Sequence, residues 1–220
     1  MVARGDLQKK GVDYQETFAL VISFPSLWII LAIAAKHDLE IGQLDVISAF
    51  LNGLIDTVVY LRQPDGFSLG SYVYIRHKSI YRLRQAAKLW YEILDVTFET
   101  FGFRKVIHDG ALWYKPHPAI ISDPTITRNP TPTDGVDGCY ALAHVDVVGT
   151  VDKVRPVKGF LNTKLKIKDL EDVSVFTGLL IQPDKSCRTL QISQGHYARQ
   201  PIETYGMQNC KVCQHASQNI

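Results

Sequence analysis

Two aspartates stand alone in strand-like apolar runs, and their carboxylates are the groups in this chain best suited to chemistry. Asp45 lies in the run 43–53, and Asp146 lies in the run 140–151. A charge among apolar residues is costly to bury unless something pairs with it, and a hard divalent cation is a common partner. Two strands that each bring one carboxylate would form an oxygen-rich site for such a cation.

The elements around these aspartates resemble the motifs of copia-type retrotransposon reverse transcriptases. Residues 43–53 resemble the family's L-D-V-x-x-A-F-L-N-G, and residues 144–147, which read H-V-D-V, fall where the family carries Y-V-D-D. Similar segments follow in family order at 2–19, 58–67, 78–91, 101–114 and 167–211. The resemblance therefore covers nearly the whole chain.

The resemblance implies an α/β fold of the α+β kind, with fingers and a palm whose antiparallel sheet packs on helices. We expect residues 1–215 to form this domain, with a proline-rich loop at 116–138 and a tail at 216–220. The family has a basic fingers strand before the position of residue 2, so we expect a domain that is truncated at its amino terminus. An exposed loop is expected at 116–138 because its prolines disfavour a regular element.

The function that the resemblance implies is RNA-directed DNA polymerisation by two-metal nucleotidyl transfer. Its partners would be an RNA or DNA primer-template and deoxynucleoside triphosphates, in the cytoplasm and the nucleus. Its cofactor would be Mg²⁺ or Mn²⁺, and Asp45 and Asp146 would be both the catalytic and the metal-binding residues.

Four more residues match family positions at the nucleotide and the nucleic acid. Phe50 falls where the family places a ring against the ribose 2′-hydroxyl, and Gln85 matches a glutamine that lies over the nucleotide and template. Arg84 and Lys88 belong to a basic and aromatic segment, in which cations suit phosphates and rings suit bases. A core phenylalanine and a solvated basic helix face are the alternative interpretations.

Several departures from the family pattern predict a degenerate, impaired polymerase. Val147 replaces the second aspartate of the doublet and cannot coordinate an ion, while Ala87 replaces a proline and Trp28 replaces an arginine. Arg82 replaces a glycine, and a side chain forbids backbone shapes that glycine allows. We expect Val147→Asp to tighten Mg²⁺ binding without restoring polymerisation. The alternative is a non-catalytic nucleic-acid-binding or protein-interaction module on the same fold.

Composition sets wider bounds. A chain of 220 residues, 46% of them apolar, can bury a sizeable core, and a net charge of +2 neither requires nor excludes a polyanion. Six basic residues and no acidic one fall within 153–168.

Four cysteines without a signal peptide indicate free thiols in a reducing compartment. The C-x-x-C-x-H of Cys210, Cys213 and His215 lacks two further ligands at zinc-finger spacing, so we favour a solvated tail.

The charge-free run 17–35 is long enough to raise the question of a membrane span. Pro25 follows a β-rich stretch, and Ser26 can cap a helix that opens on Leu27. We therefore favour a buried helix of about a dozen residues and expect no membrane association. Nothing in the sequence fixes the oligomeric state.

Overall fold

A computed structural model describes residues 2–64, 66–67, 70–116, 138–143, 146–149, 151–172, 175–176, 178–184 and 186–210. The chain divides into two compact units, Met1–Asp172 and Val173–Ile220. The interior of the expected proline-rich loop 116–138 lies outside the described residues. Cys213, His215 and the tail 216–220 also lie outside them.

The first unit mixes helices with antiparallel strands, which confirms the expected α+β class. Its described elements are, in chain order, α1 (Phe24–His37), β1 (Glu40–Val46), β2 (Leu54–Arg62), β3 (Val73–Lys78), α2 (Ala86–Thr100), β4 (Arg104–Val106), β5 (Asp109–Lys115), β6 (Cys139–Leu142), β7 (Asp146–Gly149), α3 (Val151–Lys164) and β8 (Ile167–Asp172). Single 3-10 turns lie at Gly5–Leu7 and Ala49–Asn52. Six strands form one antiparallel sheet in the order β4-β5-β6-β7-β1-β8, and β2 pairs with β3 in a separate hairpin.

The main core lies between one face of the six-stranded sheet and the helices α2 and α3. Along β1 the alternate residues Gly42, Leu44 and Val46 are buried, whereas Asp45 is exposed. This alternation is the period of two that directs neighbouring side chains of a strand to opposite faces. The same core takes in apolar residues of both helices and of β5, namely Leu94, Phe98, Val154, Val157, Leu161 and Trp113.

Helix α1 begins three residues earlier than the sequence analysis expected. Ser23 is the N-cap, and its hydroxyl accepts a hydrogen bond from the backbone N–H of Ser26 at 3.3 Å. Pro25 falls in the first turn, where its fixed φ suits a helix and its missing N–H would be unpaired in any case. Among the described residues, no helix has the length and apolar character that a membrane crossing needs.

Asp109, at the start of β5, fixes the beginning of α1 to the sheet. Its carboxylate accepts hydrogen bonds from the backbone N–H groups of Ser23 at 2.9 Å and of Ala111 at 3.0 Å. Burial alone would raise the pKa of Asp109, but hydrogen bonds from Ser26, Ser23 and Ala111 to the charged form outweigh it and lower the pKa. The carboxylate therefore stays ionised where it holds the helix.

The second unit is smaller and is described by itself. It contains β9 (Val175–Phe176), β10 (Leu179–Asp184), β11 (Thr189–Ser193) and α4 (Gly195–Thr204). The three strands form an antiparallel sheet in the order β11-β10-β9. Phe176, Leu179 and Ile181 are its buried apolar residues among those described.

Candidate active site

Asp45 and Asp146 lie on adjacent strands, as the sequence analysis predicted. Strand β1 pairs with β7 in antiparallel register, and Gln43 stands directly opposite Asp146. Directly opposed residues share a face of the sheet, and so do alternate residues of one strand. Positions 45 and 146 are therefore diagonal neighbours on one face of the two paired strands. Residues in this arrangement typically have Cα atoms about 7–8 Å apart.

Asp45 is exposed, which corrects the reason given for a metal partner. Its apolar neighbours Leu44 and Val46 are directed into the core, while Asp45 lies on the opposite face and is exposed. Within the described part of the chain, the side chain of Asp45 forms neither a hydrogen bond nor an ion pair. Burial therefore does not force a cation onto this carboxylate, but its oxygens are accessible to one.

Lys168 is a neighbour that the sequence analysis did not single out. It stands opposite Asp45 on β8, the strand that pairs with β1 on the side away from β7. It is exposed and belongs to the acid-free basic segment 153–168. The sequence of residues 167–172 does not show which residue of β8 stands opposite Asp45, because that register depends on both paired strands.

Val147 lies in the core and not beside the candidate site. It is 0% exposed, stands opposite Gly42 and Ala141, and packs with Leu44. Because Asp146 and Val147 are consecutive in a strand, their positions belong to opposite faces of the sheet. The expectation that Val147→Asp would tighten Mg²⁺ binding assumed that residue 147 lies on the same face as Asp45, and the structure contradicts that assumption.

Asp45 and Asp146 fit a divalent cation whose remaining ligands are substrate oxygens. The described residues contain no group of three His, Cys, Asp or Glu side chains that could hold a metal ion. Mg²⁺, however, is commonly bound by one or two carboxylates together with substrate phosphates. A pair of aspartates on one sheet face is chemically sufficient for that mode.

Phe50 lies in the turn that follows β1 and is half-buried. Ser48, just before it, has a left-handed backbone with φ of 57°. The Phe50 ring contacts Tyr81 edge to face, with ring centroids 5.1 Å apart, and packs on a small core that includes Val59 and Leu83. Phe50 thus contributes to packing and keeps part of its ring accessible; its contact with a ribose stays a prediction.

Gln85 is buried, with only 1% of its surface exposed. Its side-chain oxygen accepts a hydrogen bond from the amide of Gln8 at 3.0 Å, and its own amide donates to the carbonyl of Asp13 at 3.1 Å. Gln85 therefore fastens the amino-terminal segment to the start of α2. Its role at a nucleotide stays a prediction, and in this conformation its side chain is engaged within the protein.

Arg84 and Lys88 also have partners inside the protein. The Arg84 Nε donates to the carbonyl of Gly5 at 2.8 Å, and the guanidinium lies 5.8 Å from the ring centroid of Tyr14. Lys88 forms an ion pair with Glu92 at 2.7 Å. The hydrogen bond to Glu92 raises the pKa of Lys88, despite the opposing effect of burial, and two more carboxylates, Asp56 and Glu16, raise it further. Arg84 is exposed, whereas Lys88 lies among acids that would repel a phosphate.

Arg82 has the backbone conformation that its glycine counterpart would favour. Its φ is 69°, in the left-handed region, and its side chain is exposed. Its carbonyl oxygen lies against Gly5, where an added Cβ would be only 1.9 Å away. The left-handed backbone at position 82 explains why a glycine would suit this position. Among the described contacts, none shows the Arg82 side chain filling a pocket.

We expect Arg82→Gly to raise the free energy of unfolding by about 1 kcal/mol. A left-handed conformation costs a residue with a side chain about 1–2 kcal/mol, and the greater entropy loss of glycine offsets part of the gain. Urea denaturation of both variants measures the difference. Arg104→Gly, an exposed arginine in β4 without a left-handed backbone, is the matched control and should lose stability. If Arg82→Gly lowers the free energy of unfolding as much as Arg104→Gly does, the backbone of Arg82 is not strained.

Comparisons with known proteins agree with the motif order. A family model described as reverse transcriptase (RNA-dependent DNA polymerase) matches residues 1–119, which include Asp45 and Gln85. The retrovirus-related Pol polyprotein from transposon TNT 1-94 of Nicotiana tabacum is 30% identical over 218 residues, covering 96% of this chain and 15% of that protein. The corresponding polyproteins from transposons RE2 and RE1 of Arabidopsis thaliana are 33% and 32% identical, each covering 90% of this chain and 13% of their own length.

The chain thus spans about 15% or less of the length of these relatives. No solved structure matches it.

Proposed function

Because the chain belongs to the reverse transcriptase family of copia-type retrotransposon Pol polyproteins, we propose that it is the fingers and palm part of an RNA-directed DNA polymerase whose catalysis is impaired. The observation that supports this proposal is the geometry of two neighbouring strands. Positions 45 and 146 share the face of the sheet opposite the α2–α3 core, while Val147, at the position of the family's second hairpin aspartate, is directed into that core. Of the three carboxylates in the family motifs, this chain has Asp45 and Asp146 and lacks the third.

Each remaining residue has a proposed part in nucleotidyl transfer. Asp45 and Asp146 would hold Mg²⁺ or Mn²⁺, which when bound supplies the positive charge that activates a primer 3′-hydroxyl and neutralises the departing pyrophosphate. Lys168, opposite Asp45, places a further cation at this edge of the face. Phe50 would lie against the ribose, and Gln85 would order the segment that carries Arg84.

The impairment has two physical sources. A site with two carboxylates depends on substrate phosphates for the rest of its ligands, so it holds the cation weakly before the nucleotide arrives. The triphosphate must then be held in line, and a misplacement of about 1 Å can cost on the order of a hundredfold in rate. Lys88 contributes little to that positioning because Glu92, Asp56 and Glu16 surround it.

Nucleic-acid binding is the part of the function that we expect to persist. Arg84 is exposed beside Tyr14, and the basic segment 153–168 has an excess of positive charge. Binding of a primer-template should fall steeply with salt, because each phosphate contact releases a counterion. A chain that binds no primer-template at low salt would instead act as a protein-interaction module on this fold, for which the internal hydrogen bonds of Gln85 are the supporting observation.

Primer extension on an RNA template tests the catalytic part. With Mg²⁺ or Mn²⁺ we expect the parent to extend at least about a hundredfold more slowly than an active retroviral reverse transcriptase used as the standard. Any residual extension should vanish in Asp45→Asn and persist in Asp56→Asn, a matched exposed aspartate on β2. Extension by the parent at the rate of the standard would contradict the proposal that catalysis is impaired. Residual extension that survives Asp45→Asn would show that Asp45 is not part of the site.

A further inference from the structure

Lys168 is a direct cross-strand neighbour of Asp45, the first carboxylate of the candidate site. The register that places it there holds over three consecutive pairs, which join residues 44–46 of β1 to residues 167–169 of β8. Directly opposed residues share a face of the sheet, and their Cβ atoms are typically about 4.5–5.5 Å apart. Lys168 is therefore a direct neighbour of Asp45, whereas position 146 is a diagonal one.

The residue that follows Lys168 supports this assignment of faces. Asp169 stands opposite the buried Leu44, and its carboxylate forms an ion pair with Lys158 of helix α3 at 2.8 Å. Because α3 packs on the core face of the sheet, Asp169 belongs to that face, and Lys168, its neighbour in the strand, belongs to the face of Asp45. Lys168 is exposed, and within the described part of the chain its side chain forms neither a hydrogen bond nor an ion pair.

The ammonium group of Lys168 opposes the binding of a divalent cation at Asp45. Aspartates at positions 45 and 146 bring two negative charges to this face, and Lys168 offsets one of them. One positive charge about 6 Å from a divalent ion lowers the affinity for that ion roughly tenfold in water, and less than that at moderate salt. A cation at Asp45 therefore binds against the repulsion of Lys168.

We propose that position 168 sets the affinity of this face for divalent cations, and that a carboxylate there would be the third acidic ligand of the site. This inference rests on the proposed metal site at Asp45 and Asp146. Residue 147 cannot supply that ligand because it lies in the core, whereas residue 168 is exposed and opposite Asp45. Carboxylate oxygens are the ligands that Mg²⁺ and Mn²⁺ prefer in proteins.

Titration of the whole chain with Mn²⁺, followed by the electron paramagnetic resonance signal of the free ion, tests the proposal. We expect the dissociation constant to fall about threefold in Lys168→Gln, which removes the positive charge. It should fall at least about tenfold in Lys168→Glu, which reverses the charge and adds a ligand. Combining Lys168→Glu with Asp45→Asn should abolish that gain. The difference between the parent and Lys168→Gln should shrink toward about 1 M salt, where the Debye length is about 3 Å.

Lys36→Gln and Lys36→Glu are the matched controls, because they change the charge of the chain by the same amounts. Lys36 is exposed in the last turn of α1, just before β1 begins at Glu40. The strand rises about 16 Å from Glu40 to Asp45, so Lys36 lies beyond the end of β1 that is remote from the site. Both controls should bind Mn²⁺ as the parent does.

The outcomes separate the role of position 168 from the metal site itself. Mn²⁺ binding that requires Asp45 but has the same dissociation constant in the parent, Lys168→Gln and Lys168→Glu would overturn the role of position 168 alone. Binding that Asp45→Asn does not weaken, in the parent and in Lys168→Glu alike, would overturn the metal site and the inference with it. Lys168→Gln keeps the test independent of any stability that Lys168→Glu loses by placing like charges opposite each other.

Discussion

Val147→Asp is expected to lower the free energy of unfolding by about 4 kcal/mol, because it buries an unpaired carboxylate in an apolar core. Val147 is 0% exposed and packs with Leu44, Trp113 and Val154. Leu44 and Val154 have no donor, and the indole N–H of Trp113 already donates to the carboxylate of Asp95 at 3.0 Å. The substitution that restores the family's acid doublet in the sequence should therefore unfold the domain before it improves the site.

Urea denaturation followed by tryptophan fluorescence, to which Trp113 of the same core contributes, measures this loss. Val147→Ala is the matched control for lost packing and should cost about 1–2 kcal/mol. The carboxylate adds a pH dependence that alanine lacks. Burial raises the pKa of the introduced carboxyl, so the variant's deficit should be smallest below about pH 4 and grow as the pH rises through that value.

The same variant decides whether position 147 can ever face a cation. On this structure Mg²⁺ should not bind more tightly to Val147→Asp, because the new carboxylate lies on the face opposite Asp45. A variant that is as stable as the parent and binds Mg²⁺ more tightly would show that residue 147 lies at the site and that its place in the core is wrong.

Gly5→Ala has the second largest expected effect, a loss of about 3 kcal/mol. The added methyl group would lie 1.9 Å from the carbonyl oxygen of Arg82, a backbone atom that cannot move aside cheaply. The amino-terminal segment would have to separate from the turn before α2. That separation breaks the hydrogen bond from Arg84 to Gly5 and exposes Ala3, which is buried beside Leu83.

Gly159→Ala is the matched control, since Gly159 lies in helix α3 with nothing within 4 Å of an added Cβ. It should gain up to about 1 kcal/mol, the usual preference for alanine over glycine inside a helix. Urea denaturation compares the two variants, and amide hydrogen exchange at Ala3, which donates to the Tyr81 carbonyl at 3.0 Å, reports whether the segment separates locally. Unchanged exchange and unchanged stability in Gly5→Ala would contradict the close contact.

Sequence reasoning predicted the class of the fold and the pairing of the two acid-bearing strands. Both depend on local patterns: the apolar runs around Asp45 and Asp146 read as strands, and the family motifs fix their order. The face on which each residue lies was not predicted correctly for Asp45 or Val147. A single strand alternates in the same way whichever face is buried, so the choice depends on the helices that pack against the sheet.

The position of Gln85 could not be predicted for a different reason. Its hydrogen-bond partners, Gln8 and Asp13, are 77 and 72 residues away in the chain. No periodicity or local motif connects such distant segments, so a buried glutamine and an exposed one look the same in sequence. The sequence predicts Ser26 as the cap of a helix that opens on Leu27, whereas the cap is Ser23, whose backbone N–H donates to the distant carboxylate of Asp109.

The contacts between the amino-terminal segment and the turn before α2 also constrain the order in which the chain can fold. Arg84 and Gly5 are separated by 79 residues, so a ribosome-bound chain exposes the first segment long before its partner emerges. Contacts of such long sequence separation form late, because a large loop must close before they gain any free energy. During synthesis, residues 2–14 lack these contacts until Gln85 has emerged from the ribosome. This interval is when the nascent chain is most exposed to proteases and to pairing with other chains.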